Sequence, residues 1–408
     1  MKVFIINTIE NSYSTGSLAS GIGRKAKEQG WQVYFAHDNE INSSDFKSIR
    51  IHNSKLSKYL HIHFFTWTLD LHGLGSWLAT YNLIRKIKKI KPNVIHLHNI
   101  HGYYINIYLL FKYLAKADIP IVWTLHDCWA MTGRCTHFSY IGCEKWKTQC
   151  EKCPYKAAKY EYAVSHKVDN SRINYNLKKK LFTSVKEMTM VPVSNWLGGI
   201  VEESYLSKYR IKVIQNGIDL KLFHPVQNVT KIKTKYGLNG KFILLGVASA
   251  WTKMKGFEDF IKLNSLLSDE YKIIMVGLSD QQLLSFPSDM IGVKKTKKIN
   301  ELVEIYSVAD VILNLSYQES FGLTTIEGFA CGIPGIVYNT TASPELITSE
   351  TGYVVEPNNL DQLLDAINKI KHKGKSHYSA ICRKRAEMYF DKEKQFTEYV
   401  ELYNSFQY

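Results

Sequence analysis

Short, near-continuous runs of β-branched and apolar residues alternate with longer stretches of helical period, and this alternation constrains the chain most. Lys2–Ile6, Trp31–Ala36, Asn93–Leu97, Pro120–Leu125 and Thr189–Val193 read as strands, with helix-like stretches such as Gly75–Lys89 and Tyr103–Lys116 between them. The later half repeats the habit at Ile211–Ile214, Phe242–Val247, Lys272–Val276, Val311–Leu315 and Gly335–Tyr338. Runs with no polar face suit strands buried on both sides, as in a parallel sheet covered by helices. Strands alternating with helices predict a doubly wound α/β architecture. The pattern is traversed twice, and Asn216-Gly217 gives a turn signal between the passes. We therefore expect two Rossmann-like domains, 1–215 and 216–408, with Ala386–Phe406 as one long helix packing back on the first domain.

Composition narrows the partners. With 45% hydrophobic and 22% charged residues in 408, the bulk of the chain is not disordered, and the length suits two domains. A net charge of +15 points to an anionic partner: a phosphate ligand, an acidic membrane surface or nucleic acid. No recognised nucleic-acid-binding module is present, so nucleic acid is not expected. No apolar run reaches the length of a signal-peptide core or a membrane span, so the expected place is the cytoplasm, peripheral on the inner face of the cell membrane. Arg85, Lys86, Lys88, Lys89 and Lys91 lie on a helix whose Leu83, Ile84, Ile87 and Ile90 face inward. That basic face is either solvated or a patch for anionic lipid. Trp67 and Trp77 mark either a lipid or acceptor surface or part of the core.

Residues 128–163 break the rhythm. This cysteine- and aromatic-rich insertion follows the strand Pro120–Leu125, at the strand end where open α/β sheets build their crevices. Cys135, Cys143, Cys150 and Cys153 are spaced C-x7-C-x6-C-x2-C. In a reducing compartment such thiols bind metal or stay free. Either they close a structural zinc site with four ligands or they are idle.

The sharpest local signal is Q-E-S-F-G-L-T-T-I-E-G-F-A-C-G-I-P-G, Gln318 to Gly335, between a strand and a helix. Around Ser320 to Thr324 a helix opens, and its unpaired N–H groups suit phosphate. Glu327 then falls about one turn inside, within reach of sugar hydroxyls. Glu319 and Glu327 do not suit a hydrolase pair. Eight helical residues span roughly 12 Å, beyond the roughly 5–9.5 Å that glycosidase carboxylates need.

E-S-F-G-L-x-x-I-E-G with A-C-G-x-P resembles the E-x7-E region of the family-4 retaining glycosyltransferases of the GT-B fold. Asn216-Gly217-Ile218-Asp219, with Phe223 and Pro225 following, resembles the segment opening that family's second domain, and Lys255-Gly256 its phosphate-binding K-G. His96 to Tyr104 and Trp123 to Gly133 resemble the colanic-acid-type bacterial enzymes of surface polysaccharide synthesis. The resemblance covers nearly the whole chain. It implies two Rossmann-like domains facing a central cleft. It also implies transfer of a sugar, with retention, from a nucleotide-diphosphate sugar to a glycan or lipid-linked acceptor of exopolysaccharide, capsule or O-antigen.

Carried over residue by residue, the resemblance has Glu327 hold the ribose and Glu319 the hydroxyls of the donated sugar. Backbone groups of Phe321, Gly322, Leu323 and Thr324 hold sugar and diphosphate, and Lys255 neutralises the diphosphate. His126 stands beside the reacting sugar, and Gly16 makes a glycine turn facing the diphosphate. The family's Arg before K-G is missing, and Lys253 is the candidate replacement. No D-x-D occurs, so no metal cofactor is expected for the chemistry. The rival readings are a nucleotide-sugar epimerase or glycogen-type synthase on the same fold, or a non-catalytic nucleotide-binding scaffold.

Overall fold

The computed structural model describes residues 1–39, 44–52, 54–154, 165 and 168–406. The chain forms two units, 1–214 with 396–408 and 215–395. The first holds β1 (Lys2–Ile6), β2 (Gln32–His37), β3 (Lys47–Arg50), β4 (Val94–Leu97), β5 (Ile121–Leu125), β6 (Met188–Pro192) and β7 (Arg210–Ile211). The second holds β8 (Phe242–Val247), β9 (Tyr271–Val276), β10 (Ile291–Val293), β11 (Val311–Asn314), β12 (Gly335–Tyr338) and β13 (Gly352–Val355). Strand order is β3-β2-β1-β4-β5-β6-β7 in one sheet and β10-β9-β8-β11-β12-β13 in the other. The pairings within both are parallel.

The apolar runs become the middle of each sheet. Val3 of β1 lies between Val33 of β2 and Val94 of β4, all buried. Ala19, Ile22 and Ala26 of the helix Tyr13–Glu28 cover this core, with Phe396, Tyr399 and Tyr403 of the last helix. Full burial of one such large side chain contributes about 1.5–3 kcal/mol. In the second sheet Leu244 of β8 pairs with Val311 of β11, and Ile312 with Gly335 of β12, inside an equally dry core.

Three strands went unread in the sequence, and each lies at a sheet edge. Lys-Ser-Ile-Arg of β3 is mostly exposed, and β10 and β13 are partly so. An edge strand covered on one side needs no continuous apolar run. Of Ile211–Ile214 only Ile211 is in a strand, paired through β7 to β6 of the first sheet.

The expected single helix Ala386–Phe406 is instead two, Lys375–Tyr389 and Lys392–Asn404. At the break, the Ile218 amide donates to the Phe390 carbonyl at 2.9 Å and the Lys392 amide to the Ile218 carbonyl at 3.1 Å. The Asp391 carboxylate accepts from the Glu393 amide and so starts the next helix. Asn216-Gly217-Ile218-Asp219 thus pairs with the chain where the helix is interrupted. Lys392 Nζ also lies 2.6 Å from Asp219 Oδ2.

Residues 128–154 are not a surface excursion. Trp129, Phe138 and Trp146 are buried among short 3₁₀ turns. The Lys178 ammonium, itself buried, donates to the Trp129 and Thr132 carbonyls at 2.8 and 3.1 Å. Arg134 Nη1 reaches Asp70 Oδ1 at 3.1 Å. Residues 155–163 of the expected insertion lie outside the described residues.

Candidate functional site

In the second sheet the order reverses between β8 and β11, and a ligand of an open α/β sheet binds beyond the carboxyl ends of strands at such a point. The loop after β8 ends in a 3₁₀ turn, Lys253–Lys255, and then Gly256 (φ +74°) starts the helix Phe257–Asn264. A Cβ on Gly256 would lie 2.3 Å from the Leu315 carbonyl oxygen. Only glycine lets this helix open hard against the end of β11. The loop after β11 ends at Gly322 (φ +103°), which starts the helix Leu323–Ala330. Neither helix has a side-chain cap; the Phe257 amide donates to the Thr252 carbonyl and the Asp259 and Thr325 amides to the Gly256 and Gly322 carbonyls, while no backbone acceptor among the described residues takes the Glu258, Leu323 and Thr324 amides.

Two contacts clasp these loops. The Tyr317 amide donates to the Met254 carbonyl at 2.9 Å, and Lys255 Nζ meets Glu319 Oε1 at 2.6 Å. The Lys255 and Glu319 side chains are 34% and 17% exposed, so the ion pair stays open to a ligand. Lys253 projects from the same turn and is exposed. Glu319 precedes the helix, whereas Glu327 is one turn inside it and accepts from the Tyr306 hydroxyl at 2.7 Å. Burial pushes the Glu327 carboxyl up to about 7, and the Tyr306 bond offsets only part of that. Phe321 is buried against Phe390, with ring centroids 6.1 Å apart, while Leu323 and Thr324 stand partly exposed at the helix start. One sequence segment, Gln318 to Glu327, thus supplies a cation partner, open amides and a second carboxyl. Tyr306 was not legible in it, because it comes from the helix Ile299–Val308.

His126 lies in the first unit, immediately past β5, and His98 immediately past the neighbouring β4. His98 Nδ1 and His126 Nε2 are 3.0 Å apart and their rings stack at 18°. Behind them His96 stacks on His98 at 4.1 Å and bonds the Tyr403 hydroxyl at 2.5 Å and Thr124 Oγ1 at 2.8 Å. Burial lowers His126 to about 4, helped by the nearby His101 charge and opposed by Asp127. Burial lowers His96 and His98 as well. The row is therefore neutral at pH 7, and it offers hydrogen bonds rather than charge. His101 Nε2 meets Asp127 Oδ2 at 2.9 Å on its rim. Burial works to raise Asp127, but His101 and the Trp129 amide outweigh it and hold the carboxyl at about 2. The alternation His96-Leu97-His98 along one strand was the signal for a shared face.

Gly16 is not in a turn. It sits in the first turn of the helix Tyr13–Glu28, against Ile9, and the left-handed positions of that loop are Asn11 and Tyr13. For the four cysteines the sequence left a zinc site and idle thiols both open. Among the described residues no three or more His, Cys, Asp or Glu side chains gather to hold a metal. None of Cys135, Cys143, Cys150 and Cys153 is in a disulfide. Burial pushes Cys150 up to about 11, which keeps it protonated. Buried Lys178 lies near Cys135 and Cys150, and burial lowers its ammonium to about 7.

Two Rossmann-like units, each a parallel sheet with a switch point beside its first strand, make the GT-B fold. Residues 20–222 match Glycosyltransferase Family 4 and residues 228–387 match Glycosyl transferases group 1. Between them these matches span most of the chain, and the protein belongs to these glycosyltransferases. WcaC of Escherichia coli K12, named a colanic acid biosynthesis glycosyl transferase, is 22% identical over 89% of each chain. An Escherichia coli UDP-Gal:alpha-D-GlcNAc-diphosphoundecaprenol alpha-1,3-galactosyltransferase is 26% identical over 42% of this chain and 47% of its own. Among solved structures, sucrose-phosphate synthase from Thermosynechococcus elongatus superposes with a TM-score of 0.71 at 16% identity, covering 99% of this chain and 98% of that one. Anabaena HepE in complex with UDP-glucose gives 0.66 at 15% identity, covering 99% and 100%. At such identities these likenesses show the fold alone.

Proposed function

We propose that the enzyme moves a sugar, with retention, from a nucleotide-diphosphate sugar to a lipid-linked glycan acceptor in surface polysaccharide synthesis. The observation that carries this reading is the Lys255–Glu319 contact between two glycine-opened helix starts. It sets a cation and open amides beside a carboxylate, the pairing needed for a diphosphate joined to a hydroxyl-rich sugar. When the bond from the anomeric carbon to the diphosphate breaks, the leaving oxygen keeps the electron pair. Lys255 and the amides of Phe321, Gly322, Leu323 and Thr324 stabilise the growing charge. Lys253 supplies a second cation. Glu319 accepts from hydroxyls of the donated sugar and Glu327 from the ribose. His126, neutral, hydrogen-bonds the reacting sugar, and Gly16 keeps the helix start of the first unit slim beside the donor. No divalent metal is needed for turnover.

The named relatives support the acceptor class, since one acts on a diphosphoundecaprenol-linked sugar. No helix among the described residues is long and apolar enough to cross a membrane. We place the enzyme at the cytoplasmic face of the cell membrane, held there by basic residues such as Arg85 to Lys89. A thermal-shift screen of nucleoside diphosphates identifies the base, and transfer of a labelled sugar from the matching donor to lipid-linked acceptor tests the reaction. We expect stabilisation by one nucleotide and transfer that Lys255→Ala abolishes. Transfer at the parent rate by that variant would overturn the site.

A further inference from the structure

The segment before the basic helix is folded inside out. Leu60–Thr68 forms a π-helix, a rare geometry often found where function requires it. Its buried positions are His61 and Thr66, with His61 Nδ1 2.7 Å from Ser76 Oγ and Thr66 Oγ1 donating to the His61 carbonyl. Its outward positions are Leu60, Phe64 and Trp67, at 45%, 51% and 42% exposure. Leu56 and Tyr59 of the preceding turn continue this face, at 66% and 58%. Tyr59, His63 and Trp67 pack in a row along it, with ring centroids 4.1 and 4.6 Å apart, the first pair tilted and the second edge to face. The His61–Ser76 bond ties this helix to the start of the next, Trp77–Ile90, where Trp77, Leu78 and Tyr81 are again exposed. Farther along the same outward stripe come Arg85, Lys88 and Lys89.

Turning polar side chains inward and large apolar ones outward costs free energy in water, so this face calls for a non-aqueous partner. Charge selects that partner. Residues 46–117 contain eleven Lys and Arg against a single acid, Asp70. Asp70 is buried and paired to Arg134 and His72, so it does not reach the surface. Aromatic residues beside a basic stripe match the two layers of an anionic bilayer surface. Trp and Tyr settle at the headgroup level, aliphatic chains dip below it, and Lys and Arg meet the phosphates.

We infer that the exposed face of 56–81 is an apolar wedge that inserts into the interfacial layer of an anionic bilayer, with Arg85 to Lys89 at its phosphate edge. The inference rests on the membrane reading above and adds to it. Binding is anchored by insertion and not by charge alone, so part of it survives high salt.

The test is vesicle flotation of the full chain with neutral phosphatidylcholine and with phosphatidylcholine containing phosphatidylglycerol, at low and high salt. It compares the parent, L60S/F64S/W67S and R85Q/K88Q/K89Q. We expect the parent to bind anionic vesicles and to keep a substantial fraction at high salt. The apolar variant should lose that resistant fraction, with affinity down about tenfold or more. The charge variant should weaken at low salt and keep its salt-resistant part. Because the substituted side chains are exposed, both variants should keep the parent's circular dichroism spectrum and thermal unfolding midpoint, which shows that the first unit folds. Brominated lipid should quench fluorescence that disappears in W67F/W77F. Binding that is fully reversed by salt and indifferent to the apolar variant overturns the wedge and leaves electrostatic docking standing. No binding to any vesicle overturns both. A parent dimer in solution that the apolar variant dissolves assigns the face to a second copy and also overturns the wedge.

Discussion

In both units the first strand lies between the second and the fourth, so the switch point is topologically the same. The loops there have opposite chemistry. After β8 the chain places Lys255 and then Gly256 at an uncapped helix start. After β1 it places Glu10, fully buried, whose Oε1 accepts from Ser44 at 2.5 Å, and the turn is made by Asn11 and Tyr13. A buried carboxyl at a helix start works against a phosphate, whereas a lysine and open amides attract one. Beyond β4 and β5 the first unit carries neutral histidines instead. One topology therefore carries two kinds of loop, a lysine with glycine-opened helix starts in the second unit and neutral histidines in the first, and the proposed function gives them two tasks.

The largest effect that would break this contrast is on turnover. On the proposed function Lys255 faces charge that grows as the bond to the diphosphate breaks, so Lys255→Ala should lower kcat about a hundredfold or more in saturation kinetics. A change confined to KM would mean that the lysine only binds. Next come the glycines. Gly256→Ala forces a left-handed backbone costing about 1–2 kcal/mol, and its methyl collides with the Leu315 carbonyl as well. Thermal unfolding should fall by several degrees and nucleotide binding should weaken. Gly16→Ala, inside a helix, should change stability little, since alanine's better helix propensity offsets a tight contact with Ile9. Equal losses at both glycines would erase the distinction.

The smallest effect is on pH. Glu327 is raised from an ordinary 4.5 to about 7. Its folded-state proton therefore adds stability in full below about pH 4.5, and that contribution is lost as pH climbs through about 7. Glu327→Gln should flatten the slope of stability between those values. Nucleotide affinity should run the other way, strengthening above pH 7 as the carboxylate forms and accepts from the ribose. Titration at pH 6 and pH 8 reads this directly, and identical affinities would remove the ribose role.

Sequence pattern disclosed what burial on both faces imposes. β1, β8 and β12 were legible to the residue, because nothing but apolar side chains fits the middle of a covered parallel sheet. Edges escaped, since Lys47–Arg50 has no need to be apolar. The last helix was legible by period but not in its interruption, which is set by Ile218, over 170 residues away. In the site, local sequence carried Lys255, Glu319 and Glu327. Partners from other elements were invisible: Tyr306 on Glu327, and His98 as the neighbour of His126. The cysteine spacing left zinc and idle thiols open, because spacing along the chain does not show which side chains gather in space or that burial raises the Cys150 thiol.

The contrast between the units is tested most directly by calorimetric titration of the preferred nucleoside diphosphate into the parent, Glu327→Ala and His126→Ala. Removing a charge-assisted hydrogen bond costs about 1.5–3 kcal/mol, so Glu327→Ala should bind about tenfold to a hundredfold more weakly. His126→Ala should bind like the parent while its turnover falls, because the proposed function has the histidine act on the sugar. Undiminished affinity in a folded Glu327→Ala, with loss in His126→Ala, would contradict the account by moving the nucleotide to the first unit.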